Sequence, residues 1–244
     1  EPYIWNNSCH YFFIIGSSQE SLFSTESCCL IWMSALPPDL LSKLAEGADI
    51  LKCPLPEPLI EKCSQHVEIL LRWNRVHNLT TVIEPEQILT HHLLDSLTIA
   101  SLVKGTRLLD IGSGGGFPGI PLALALRETK WILIDSRGKR ARFLQEVIEL
   151  LALDRVAAIH QRVEDYLPTE NFDTLVTRAV APLPKLITLT EHLWKKGVRL
   201  IVMKADGATK EWKQLPSSLR SKSEIIPLSV PGTKLNRKAV VFEN

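Results

Sequence analysis

The segment Asp110-Ile-Gly-Ser-Gly-Gly-Gly116 stands directly after the apolar run Arg107-Leu-Leu109, and no other part of the chain limits its fold as sharply. It reads as a strand running into a glycine-rich turn, with a helix opening at Phe117-Pro118-Gly119-Ile120-Pro121. Glycines at 112, 114 and 116 let the backbone turn tightly and approach a ligand with no Cβ in the way. Prolines fit the first helical turn, where the N–H groups they lack would have no intrahelical partner. A nucleotide-like ligand lying across the turn is the functional reading; a loop that is only a tight turn is the structural one.

The dinucleotide-binding fingerprint G-x-G-x-x-G uses its last glycine for close helix packing, and that position is Phe117 here. A nicotinamide dehydrogenase is opposed on that ground. Asp110 opposes it too, because a carboxylate beside the first glycine repels a pyrophosphate seated on the helix N-terminus. A cationic ligand with an amino-acid end suits the same acid, and S-adenosylmethionine (AdoMet) carries both a sulfonium and an ammonium. The pattern D-x-G-x-G-x-G resembles motif I of the class I methyltransferases, which implies AdoMet as cofactor and places Asp110, Gly112 and Gly114 at its site.

About twenty residues on, Lys130-Trp-Ile-Leu-Ile-Asp135 reads as a second strand ending in an acid. In doubly wound nucleotide-binding sheets such an acid accepts hydrogen bonds from ribose hydroxyls. Asp135 also suits the N-cap of the helix that begins at Ser136, and one aspartate can serve both ends. Further strands are expected at Val156-Ala-Ala-Ile-His160 and Phe172-Asp-Thr-Leu-Val-Thr177. The strand ends at 110, 135, 160 and 177 should share one rim of a parallel sheet, where such folds bind ligands.

Together these segments resemble one family. The stretch from Asp110 to Leu122, Asp135-Ser136 with Lys139-Arg140, Arg162-Val-Glu164 and Thr177-Arg-Ala-Val-Ala181 are similar to the bacterial 16S rRNA guanine-N7 methyltransferases, also known as glucose-inhibited division protein B. Trp73-Asn-Arg-Val-His-Asn-Leu-Thr80 and His91-His-Leu-Leu-Asp-Ser-Leu97 fit as well, so the resemblance covers about residues 55–243. It implies AdoMet contacts at Gly112, Phe117, Val163, Glu164 and Arg178. It also implies 16S rRNA or the small ribosomal subunit as partner, with no DNA expected, while the cysteine pattern makes a reducing cytoplasm the expected setting.

The fold class expected is α/β: a class I AdoMet-dependent methyltransferase, with a mostly parallel doubly wound sheet and an antiparallel final strand, preceded by a helical N-terminal lead-in. In the lead-in, Leu59, Ile60, Cys63, Val67, Leu70, Leu71 and Asn74 form one stripe, broken by a loop around 78–84. Pro85 then opens a second helix whose apolar side is Ile88, Leu89, His92, Leu93, Leu97 and Ala100. His91, His92 and Asp95 are conceivable metal ligands, but local hydrogen bonding or cover over the cleft is the favoured reading, and no metal is expected. After Arg178 come a helix over 183–193, a strand over 198–203, a helix over 208–214, and two strands joined by the loop 231–237. So short a loop suits an antiparallel pair.

Residues 1–32 read differently. They hold three glutamates and no Lys or Arg, and the first methionine is Met33. Translation is expected to start there, making 1–32 non-native upstream sequence or a dispensable extension, 33–104 the helical region and 105–244 the AdoMet-binding core. A signal peptide is the alternative, although Tyr11-Phe-Phe-Ile-Ile15 is short and lacks a basic flank. No run of 18 apolar residues occurs, so no membrane span is expected. The five cysteines, at 9, 28, 29, 53 and 63, have no zinc-type spacing and fit a reducing compartment.

The net charge of +1 hides an uneven distribution, with eleven Lys/Arg against four Asp/Glu in residues 193–244. Arg137, Lys139, Arg140 and Arg142 form a second cluster beside the presumed ribose-binding rim. Such groups supply phosphate contacts to nucleic acids, or simply a solvated face. Methylation at cytosine C5 needs a thiolate, and no cysteine follows residue 63. Exocyclic amino methylation commonly uses Asn/Asp-Pro-Pro-aromatic, where this chain has Thr177-Arg-Ala-Val-Ala-Pro182. Guanine N7 has a free lone pair and needs no general base, so transfer depends on proximity and orientation. Arg178, the candidate catalytic residue, would hold the AdoMet carboxylate or the guanine O6 edge, unless it pairs structurally with Asp173 or Glu164. A methyltransferase acting on another RNA site or a small molecule is the alternative.

Overall fold

The computed structural model describes residues 35–178, 180–194 and 196–243. The expected extension and Met33 lie outside the described residues. Prolines open the lead-in helices α1 (Pro38–Ile50), α2 (Glu57–His77) and α3 (Pro85–Ile88), each having one in its first turn. Asn78 closes α2 at φ 47°, a left-handed conformation that asparagine tolerates. The next helix departs from the regular spacing its apolar stripe suggests. After α3 the chain widens into a π-helical turn, Leu89–Leu94, and tightens again as α4 (Asp95–Leu97).

The core is a seven-stranded sheet of β1 (Arg107–Ile111), β2 (Lys130–Asp135), β3 (Val156–His160), β4 (Thr174–Arg178), β5 (Arg199–Lys204), β6 (Ser223–Leu228) and β7 (Arg237–Glu243). The order is β3-β2-β1-β4-β5-β7-β6, with β1 to β5 parallel. Strand β7 runs antiparallel between β5 and β6, the ending expected from the short 231–237 loop. The connecting helices are α5 (Gly119–Ala125), α6 (Gly138–Leu150), α7 (Leu183–Thr190), α8 (Ala208–Lys213) and α9 (Ser217–Arg220). Among the described residues no helix is long and apolar enough to cross a membrane.

Side chains alternate across each strand, and the alternation decides where the charged ones go. Leu108, Leu133, Val176 and Val241 join the apolar layer built with the lead-in, α5 and α6. Leu109, Ile134, Leu175 and Val240 join the other, with α7 and α8. Asp110, Asp135, Arg178 and Arg237 each stand an even number of residues from the first set, so all four fall on the lead-in face.

At the opposite rim Asp173 fixes the entry to β1. One of its carboxylate oxygens accepts the backbone N–H of Thr106 at 2.8 Å and of Arg107 at 2.9 Å. Asp173→Ala should therefore cost about 1–2 kcal/mol in urea unfolding while leaving ligand affinity at the other rim unchanged. A loss of affinity matching the loss of stability would show that the two rims are coupled.

Candidate active site

The glycine-rich loop after β1 is held by three side chains from three elements. Asp110 Oδ2 accepts the Gly119 N–H at 3.0 Å, and Asp135 Oδ2 accepts the Gly114 N–H at 3.0 Å. His66, on α2, donates from Nε2 to the Gly115 carbonyl at 2.8 Å, because a carbonyl only accepts. Gly119 has to be glycine for space: a Cβ there would lie 2.4 Å from Leu133 Cδ2 and 2.6 Å from Asp110 Oδ2. Gly114, at φ +55°, has room for a Cβ, so its constraint is the left-handed backbone.

Asp110 is fully buried, and its Oδ1 has no hydrogen-bond partner. Burial pushes its carboxyl up to about 7, against the Gly119 N–H that favours the ionised form. Asp135 is 3% exposed; its Oδ1 accepts the Arg137 N–H at 2.9 Å, and Arg140 lies 3.5 Å from Oδ2. Both carboxylates thus bond to backbone at the helix starts that follow β1 and β2. The cap-like role weighed for Asp135 is present as this bond two residues along the chain.

On the other face of the rim lies an open cleft of about 210 Å³. Gly112, Val163 and Glu164 line it, together with Ile111, Ile134, Ser136 and Gln161. Val180, Ala181 and Lys185 form the side that packs on Gly112, where a Cβ would lie 2.4 Å from Val180 Cγ2. That side is held by Lys204, whose Nζ donates to the Ala181 carbonyl at 2.7 Å and pairs with Glu211 at 3.0 Å. Glu211 in turn accepts the Leu183 N–H at 2.7 Å. The cleft suits AdoMet in its donor set: a glycine backbone, apolar walls from Ile111, Ile134 and Val163, and polar groups on Ser136, Gln161 and Glu164. Glu164 pairs with Arg162 at 2.7 Å, not with Arg178.

Phe117 and Arg178 lie away from this cleft, on the lead-in side. Phe117 is 5% exposed and sandwiched between His66, at 4.8 Å between ring centroids, and His92, at 4.6 Å. Arg178 Cζ sits 5.4 Å from the Phe117 centroid. Its Nη1 donates to Asp95 Oδ2 at 3.1 Å and to the His91 carbonyl at 2.9 Å. The structural partner of Arg178 is therefore Asp95; Asp173 is engaged at the other end of β4. His92 Nδ1 lies 3.0 Å from the His91 carbonyl and Nε2 lies 2.9 Å from Thr80 Oγ1. The shorter contact favours a neutral ring that donates from Nδ1 and accepts at Nε2, while Arg178 Nη2, which can only donate, stands 3.4 Å from the same Nδ1. Burial lowers His92 to about 3, with the Arg178 charge assisting, and burial lowers His66 to about 4.

Among the described residues no group of His, Cys, Asp and Glu is arranged to hold a metal. Burial raises the Cys53 thiol to about 11 and Cys63 to about 12, leaving neither a thiolate at neutral pH. The basic tail is partly spent inside the fold, with Arg199 on Glu243, Lys204 on Glu211 and Arg237 on Asp95. Arg137, Lys139 and Arg142 are exposed around the start of α6.

Residues 59–241 match the model of the GidB family, described as rRNA small subunit methyltransferase G. This chain belongs to that family. A ribosomal RNA small subunit methyltransferase G from Coxiella burnetii is 37% identical over 205 residues, covering 84% of this chain and 98% of the relative. One from Chromobacterium violaceum is 37% identical over 200 residues, covering 82% and 95%. A predicted O-methyltransferase from Agrobacterium tumefaciens has the same core fold at TM-score 0.52, with 21% identity, covering 61% of this chain and 79% of that one. The protein is thus a methyltransferase with the class I fold.

Of the residues the sequence singled out, Gly112, Val163 and Glu164 stand on the cleft wall. Asp110, Gly114, Phe117 and Asp135 shape the loop from beneath or beside it. Arg178 joins a buried charge cluster with residues not proposed as site residues, above all Asp95 and Arg237. His66 had no sequence signal beyond its place near the helical stripe.

The buried groups set the acid limb of stability. Unfolded histidines titrate near 6.5, so between about pH 6.5 and 4 the unfolded chain binds protons that native His66 and His92 refuse. Stability then falls as pH falls, by about 1.4 kcal/mol per pH unit for each such proton. Asp110 has the opposite sign, being protonated in the native state up to about 7 but ionised in the unfolded chain above about 4. Urea unfolding across this window should show a slope flatter by about one proton in His66→Gln and steeper by about one in Asp110→Asn. An unchanged slope in His66→Gln would mean that native His66 takes up the proton.

Proposed function

We propose that this protein transfers the methyl group of AdoMet to N7 of a guanine in 16S ribosomal RNA of the small ribosomal subunit, in the cytoplasm. The observation that carries the choice of N7 is the state of the groups around Arg178. Asp95 is buried and accepts from two guanidiniums, His92 is neutral with both nitrogens bonded, and Asp110 lies sealed under the loop. Asp95 and His92 are already committed and Asp110, although its Oδ1 is unpartnered, is fully buried, which fits an acceptor that arrives with its own lone pair and gives up no proton. The buried cysteines fit the same reading, since C5 methylation would need a thiolate.

Bound AdoMet supplies a sulfonium methyl whose S–C bond breaks as the N7 lone pair forms the new N–C bond, leaving the positive charge on the purine. The chain then has to bind and orient. Gly112 offers its backbone at the cleft, its missing Cβ making room for Val180, while Val163 offers an apolar wall and Glu164 accepts hydrogen bonds at the cleft. Asp110, Gly114, Phe117 and Asp135 act through the shape of the loop. Arg178 Nη2 stands 3.4 Å from His92 Nδ1, and its Nε hydrogen is left for the AdoMet carboxylate or the guanine O6 edge. Arg137, Lys139 and Arg142 suit the phosphates of the RNA. The names borne by the family and its relatives support the choice of ribosomal RNA.

Purified protein incubated with small ribosomal subunits and AdoMet should make 16S rRNA sensitive to borohydride followed by aniline at one site, because the charge on N7 weakens the glycosidic bond. Arg178→Ala should lose most of that signal, by about 10²-fold in rate. Methyl incorporation without cleavage would refute N7, and an unaltered rate in Arg178→Ala would leave that arginine a purely structural role.

A further inference from the structure

We infer that Asp95 is a positioning residue for methyl transfer, acting through Arg178. The inference rests on the role given to Arg178 above. Asp95 begins α4, directly after the π-helical turn, and divides its carboxylate between two strands. Oδ2 accepts from Arg178 Nη1, at the end of β4, and Oδ1 accepts from Arg237 Nε, at the start of β7, each at 3.1 Å. Strand β5 separates those two strands in the sheet, so one lead-in carboxylate bridges across it.

Every group in this cluster is largely withdrawn from water. The side chain of Asp95 is 3% exposed, that of Arg178 19% and that of Arg237 20%. Burying such charges is costly, and well-packed apolar groups of similar volume would serve stability as well or better. The distinctive consequence is geometric. Arg178 follows the last hydrogen-bonded pair of β1 and β4, beyond which its long side chain has many rotamers. Asp95 and the His91 carbonyl both take hydrogens from Nη1, and the face of Phe117 stacks beneath the guanidinium. The planar fork is thereby fixed, with Nη2 also 3.4 Å from His92 Nδ1, and the remaining donor on Nε is presented in a single orientation. A displaced donor at a reacting centre costs rate even when the fold survives. The lead-in thus supplies part of the transfer geometry in addition to covering the sheet.

The test is a double-mutant cycle on the full chain, measuring methyl transfer to small subunits and, separately, binding of S-adenosylhomocysteine and the thermal midpoint. Asp95→Asn keeps the shape and removes the charge, and Arg178→Ala removes the group it acts on. Each should lower kcat/KM by about tenfold or more, and the double variant should be within about twofold of Arg178→Ala alone. Losses that multiply in the double variant overturn the inference, because Asp95 would then act independently of Arg178. Asp95→Glu covers the case in which Asp95→Asn does not fold, since it keeps the charge and shifts it by one methylene. It should fold and still lose transfer, and a wild-type rate in Asp95→Glu also overturns the inference. Full activity in Arg178→Ala sinks the reading of Arg178 itself; an impaired Arg178→Ala beside a wild-type Asp95→Asn sinks only the role of Asp95.

Discussion

The glycine-rich loop is gripped by its backbone, and the rest of the site depends on that grip. Glycines offer no side chains by which to fix a turn, so the fixing groups come from outside: Asp110 below, Asp135 from the next strand and His66 from the lead-in. All three hydrogen bonds are buried or nearly so, where a bond is electrostatically stronger than in water and an unpaired partner more costly. A loop held this way has much of its shape before a ligand arrives, and binding then loses less to ordering.

Placing these groups on one face of the sheet creates a second requirement. The alternation of β1, β2, β4 and β7 sends Asp110, Asp135, Arg178 and Arg237 to the same side as Leu108, Leu133, Val176 and Val241. A sheet face bearing two acids and two guanidiniums needs a cover that contributes polar partners as well as apolar bulk. The lead-in contributes both. Leu70, Leu93 and Leu97 join the apolar layer, while Asp95, the His91 carbonyl and His66 meet the polar groups. The cleft is on the other side, among Ile111, Ile134 and Val163, so donor wall and charge cluster are divided by the strand ends themselves.

Much of this was legible because it is local. Strands β1, β2 and β3 fall on the segments read from their apolar runs, and the antiparallel ending follows from loop length. Gly112, Val163 and Glu164, taken from the family resemblance, do line the cleft. The π-helical turn at Leu89–Leu94 was not legible, since the stripe through Ile88, His92 and Leu93 is also that of an α-helix. The short α9 carries too few residues for any period to show. The pairing of Arg178 was legible only as a choice among acids near in sequence. Asp173 and Glu164 were nearer, but strand alternation and the packing of a helix 83 residues upstream favoured Asp95. Asp110 reads in the sequence as an acid beside a cationic ligand; its position in β1, one residue beyond Leu109, turns it inward beneath Gly119.

Phe117 joins these strands of reasoning. In dinucleotide-binding folds the corresponding glycine lets the helix pack closely against the sheet. Here close approach is supplied two residues later by Gly119, where a Cβ would collide with Leu133 and Asp110. Phe117 is then free to be large. Its ring fills the space between His66 and His92 and lies under Arg178, so the loop docks onto the lead-in through an aromatic sandwich. Neutral imidazoles are the fitting partners: burial keeps both rings neutral, and a protonated His92 would also face the Arg178 charge. The residue that breaks the dinucleotide fingerprint is thus the one that ties the AdoMet loop, the arginine and the helical lead-in into a single unit.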